Sequence, residues 1–89
     1  MDGVTEQAIE ATLMQLVDAR GPGKSICPSE VARQLAPGAW QPLLGPVRRV
    51  AVALAKAGRI DILRKGKAVD PADMRGVIRL RIVALTAVG

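Results

Sequence analysis

Eighty-nine residues carrying a formal net charge of +5 can support one hydrophobic core and not two, so the chain reads as a single small domain. Hydrophobic residues make up 49% of it, but Trp40 is its one aromatic, which leaves leucine, isoleucine, valine, alanine and methionine to fill that core. No apolar run approaches the roughly 18 residues of a membrane span, the N-terminus has no signal-peptide pattern, and a lone Cys27 without any histidine offers no internal disulfide, no Cys–His nucleophile and no zinc set.

Thr5 is placed to cap a first helix over about 5–20, with Glu6 in its first turn and Ile9, Leu13, Leu16 and Val17 on one face. Arg20-Gly21-Pro22-Gly23 ends it, and Lys24-Ser25-Ile26 suits a short strand. Pro28 opens a second helix over about 28–36; Glu30 sits near its positive end, and Val31, Ala32 and Leu35 face inward. Pro37-Gly38 closes it.

A third helix is expected over about 41–57. Pro42, Gly45 and Pro46 divide it into a helical turn at 41–44 and a main helix at 46–57, because an interior proline loses a backbone hydrogen bond. Leu43, Leu44, Val47, Val50, Ala51 and Leu54 form its buried stripe, and Arg48, Arg49, Val52 and Lys56 lie on the other side. Gly58 supplies the left-handed residue that ends it.

Two alternating segments follow, read as strands over about 59–65 and 77–83. Ile60 and Ile62 alternate with Asp61 and Leu63, and Ile78, Leu80 and Ile82 with Arg79 and Arg81. Antiparallel pairing is expected, with the turn-rich residues 66–76 between the strands as a candidate wing. The fold class is therefore mainly α with a small β-hairpin (α+β), a three-helix winged helix-turn-helix domain. The chain has no internal repeat and no low-complexity segment.

Motifs spread along the chain agree with this reading. Ile26-Cys27-Pro28-Ser29-Glu30-Val31-Ala32-Arg33, Trp40, Val47-Arg48, Gly58-Arg59-Ile60, Gly66, Val69-Asp70-Pro71 and Arg75-Gly76-Val77-Ile78-Arg79-Leu80 together resemble the bacterial domain-of-unknown-function family 3253, over roughly residues 5–82. The resemblance implies a winged helix-turn-helix fold and brings no function with it. The chain departs from the family pattern at Val77, where a proline is expected, and at Pro42 near Trp40.

Charge placement points to a partner. Residues 1–23 hold four acids against Arg20, a net of −3, whereas residues 24–89 hold twelve bases against four acids, a net of +8. Such asymmetry favours a polyanion. In a winged helix-turn-helix the third helix enters the major groove, so Arg48, Arg49 and Lys56 are its candidate DNA contacts, and Arg64, Lys65, Lys67 and Arg75 are those of the wing. The plainer alternative is a solvated basic surface, and Asp70 and Asp73 weaken the wing cluster. Arg79 and Arg81 read as structural in part and not as primary contacts, with Asp61 placed to lie opposite one of them.

Other chemistry finds little support. Cys27 before Pro28 at a helix start reads as a partly buried structural thiol, Ser25 and Ser29 as turn and helix-start residues, and Asp70 and Asp73 as turn formers rather than metal ligands. Trp40 reads as an anchor between helices two and three. The expectation is a non-enzymatic, cytoplasmic duplex-DNA-binding module without catalytic residues, cofactor or metal, acting in transcriptional or chromosome-associated regulation. The competing reading is a protein-interaction domain or homodimer built on the apolar tail at residues 82–88.

Overall fold

The computed structural model describes residues 4–73 and 75–83. Its elements are α1 (Glu6–Arg20), α2 (Pro28–Leu35), a 3₁₀ turn (Gln41–Leu43), α3 (Leu44–Lys56), β1 (Ile60–Arg64), β2 (Lys67–Val69) and β3 (Arg79–Ile82). Three helices and a three-stranded antiparallel sheet make an α+β fold with a wing-like hairpin.

The local signals act where they stand in the sequence. Thr5 Oγ1 accepts the Ala8 N–H at 3.1 Å and caps α1, whose residues Ile9, Leu13 and Val17 are buried at four-residue spacing. Leu16, expected inward, is only partly buried at the edge of that stripe. Pro28 occupies the first position of α2, where its missing N–H leaves no gap. Ala36, which precedes Pro37, leaves the helical region at φ −145 and ψ 78, so α2 stops at Leu35.

The start of α3 differs from expectation. The helix begins at Leu44 and not at Pro46, so Gly45 and Pro46 are its second and third residues, inside the first turn. The first N–H groups of a helix have no intrahelical acceptor, so Pro46 there interrupts nothing. Leu43 and Leu44 are partly buried, and the fully inward stripe is Val47, Val50, Ala51 and Leu54. At the other end, Gly58 at φ 78 closes a Schellman motif: the Gly58 N–H reaches Ala55 O and the Arg59 N–H reaches Leu54 O, both at 3.0 Å.

The sheet holds a strand more than expected. β1 pairs antiparallel with β3, as the alternation implies, in a register that sets Asp61 opposite Arg81 and Leu63 opposite Arg79. The expected single connection over residues 66–76 instead contains β2. Lys65 at φ 54 and Gly66 at φ 81 form a two-residue turn of the type favoured in hairpins, and β2 runs back along the other edge of β1. The order is β2-β1-β3, so β2 and β3 lie on opposite edges of β1.

Ile26 extends the sheet beyond β3 through two 2.8 Å backbone bonds with Leu80. One hydrophobic cluster joins Ile9, Leu13 and Val17 of α1, Val31 of α2, the α3 stripe, and Ile26, Ile60, Ile62, Ile78 and Leu80 of the sheet side. Leu63 is buried outside that cluster, on the face opposite Ile62. Alternation alone places it on the solvent side.

Candidate nucleic-acid interface

With Val47, Val50, Ala51 and Leu54 turned into the core, the 3.6-residue period of α3 carries Gly45, Arg49, Ala53 and Lys56 outward. Arg49 and Lys56 are exposed and make no ion pair among the described residues. Arg49 also borders a cleft of about 490 Å³ whose far wall carries Glu6 and Glu10 of α1. Glu10 is engaged there by Arg59 at 2.9 Å.

Arg48 does something else. Its guanidinium donates to the Gly76 carbonyl at 2.7 Å, tying α3 to the loop that leads into β3. A half-buried arginine held this way positions that loop and has fewer donors left for a ligand.

The hairpin and the crossing loop divide the remaining four candidates. Lys65 and Lys67 flank Gly66 at the tip, exposed and without an ion-pair partner among the described residues. Arg64 and Arg75 converge on Asp73, at 3.4 Å through Oδ2 and 3.0 Å through Oδ1. Asp70 shapes that loop: its carboxylate accepts the Ala72 N–H and its carbonyl the Asp73 N–H, both at 2.8 Å.

A second cluster lies at the α2 end of the sheet, and the sequence pattern did not expose it. Ser25 gathers two arginines: Arg79 donates through Nε to Ser25 Oγ at 2.7 Å and through Nη2 to Ser25 O at 3.1 Å, and Arg20 reaches the same carbonyl at 3.1 Å. Arg20 also pairs with Glu30 at 2.8 Å. Ser25 and Arg79 are 54 residues apart, and the neighbouring Ile26–Leu80 bridge brings them together. Arg81 pairs with Asp61 at 2.9 Å, as their register requires.

Burial alone would raise the Glu30 carboxyl. The Cys27 N–H at 2.9 Å and the charges of Arg20 and Arg79 outweigh it, and the group is held below its ordinary value. Cys27 is half-buried at the α2 N-cap position, with the Ser29 hydroxyl donating to Sγ at 3.2 Å. Trp40 is partly buried against the core, and the Arg33 guanidinium lies 4.5 Å from its ring centroid.

Of the seven cations expected to contact nucleic acid, Arg49, Lys56, Lys65 and Lys67 are unpaired among the described residues, and Arg48, Arg64 and Arg75 are engaged within the fold. Among those residues no helix is long and apolar enough to cross a membrane. The apolar tail lies beyond Val83 for most of its length, outside the described residues.

Helix order and sheet topology define a small α+β fold. The chain belongs to the family described as protein of unknown function (DUF3253), whose model matches residues 6–83. No curated protein matches the chain.

Proposed function

We propose that this protein is a non-enzymatic winged helix-turn-helix module that binds duplex DNA, with α3 in the major groove and the Lys65–Lys67 hairpin along the adjoining backbone, in the service of transcriptional regulation. The supporting observation is that α3 turns Arg49 and Lys56 outward without carboxylate partners among the described residues, while Lys65 and Lys67 project from the hairpin tip in the same condition. The helices occur in the order a helix-turn-helix requires, and the 3₁₀ turn at Gln41–Leu43 leads directly into α3. Side chains that read bases are scarce on this face: between Arg49 and Lys56 it offers Val52 and Ala53. Binding governed by phosphates and duplex shape follows, with weak discrimination among sequences.

The test is a binding titration at stepped salt against random-sequence duplex DNA, single-stranded DNA and duplex RNA. The proposal requires tightest binding to duplex DNA, a steep loss with salt, and a further loss in the Arg49→Ala/Lys56→Ala variant. No binding to any of the three would transfer the case to the protein-interaction reading, which sedimentation of the full chain against a chain ending at Arg81 then examines.

A further inference from the structure

Among the described residues, Val77 is the one large hydrophobic side chain that stands almost wholly in solvent, 83% exposed. It is also held in place. Gly76 before it receives the Arg48 guanidinium, and Ile78 after it is buried in the core. Val77 lines a groove of about 490 Å³ together with Lys65 and Gly66 of the hairpin turn, Leu63 and Arg79. Apolar surface therefore lies between cationic side chains.

Arg79 is set to serve that groove. Ser25 fixes its guanidinium by two hydrogen bonds, no carboxylate lies within ion-pair distance among the described residues, and donors remain for a ligand. A cation with an immobilised head, an apolar wall and glycine backbone at the rim match a deoxyribose and its phosphate: the sugar edge packs on carbon and the phosphate takes charge-assisted bonds. A protein partner would also accept Val77, but the positive charge of Lys65 and Arg79, neither paired with a carboxylate among the described residues, beside one exposed apolar residue favours an anionic polymer.

We infer that this groove seats one strand of the bound duplex, a deoxyribose lying on Val77 and its phosphate between Arg79 and Lys65. The inference rests on the DNA-binding reading and adds to it Val77 and Arg79, a contact site beyond α3 and the hairpin tip.

Fluorescence anisotropy with a short random-sequence duplex tests it, on Val77→Ala, Val77→Asp, Arg79→Gln and Arg79→Lys beside Arg49→Ala/Lys56→Ala, with thermal unfolding of each variant confirming the fold. Val77→Ala is expected to weaken binding about threefold with an unchanged salt slope, and Val77→Asp more than about tenfold. Arg79→Gln is expected to make the log–log salt slope shallower by about 1, and Arg79→Lys to retain it. Wild-type affinity and slope in all the Val77 and Arg79 variants, with Arg49→Ala/Lys56→Ala weakened, would overturn the groove and leave the proposed function standing. Absence of duplex binding by the wild-type protein would remove both.

Discussion

Asp73 holds two of the cations that sequence patterning assigns to nucleic acid, and its removal is the sharpest change available at a single residue. Asp73→Asn leaves the loop's hydrogen bonds to Asp70 intact and frees Arg64 and Arg75 for a phosphate. Because these are exposed pairs worth up to about 1 kcal/mol, the variant is expected to bind duplex roughly two- to fivefold more tightly, as read by titration at fixed salt. Glu30 gives a pH prediction. Its folded-state pKa is lowered, so its contribution to stability is present above the ordinary carboxylate range and is lost as pH falls through the folded value. Unfolding midpoints of wild type and Glu30→Gln should therefore differ at neutral pH and converge on acidification. Neither Asp73 nor Glu30 was legible as an arginine partner, because charge lists do not say which side chains a loop brings together. Thr5, Pro28 and Gly58 were legible, since each acts on its own few neighbouring backbone groups.

At the scale of elements, the hairpin was the part least visible in the sequence. Lys67-Ala68-Val69 has no alternating apolar pattern, and Lys65-Gly66 lacks the asparagine or aspartate that usually announces such a turn. Its geometry nonetheless depends on glycine at Gly66, where φ is 81 and open space surrounds the missing side chain. Gly66→Ala is therefore expected to lower stability by about 1 kcal/mol through backbone strain alone, measured by urea unfolding. α3 was legible as a helix because its buried stripe repeats over three turns. Its start is less legible, because a proline bars a helix interior but not the first turn, where the helix has no hydrogen bond to lose.

At the scale of the molecule, one aliphatic cluster positions everything the proposed interface uses. Leu13 has no exposed surface and lies with Val47, Ile62 and Leu80 in that cluster, so Leu13→Ala is expected to cost about 2–5 kcal/mol, enough to threaten a small domain's fold. Net charge suggested a polyanion partner, and the fold refines the suggestion by tying up Arg48, Arg64 and Arg75 and leaving Arg49, Lys56, Lys65 and Lys67 outward. The central claim, that these four unpaired cations meet phosphates of a duplex, has a direct measurement in the salt dependence of wild-type binding. At about 0.9 per phosphate neutralised, the log–log slope should be about −3.6 or steeper, and Arg49→Ala/Lys56→Ala should make it shallower by about 2. A wild-type slope near zero, or one the double variant leaves unchanged, would contradict the account.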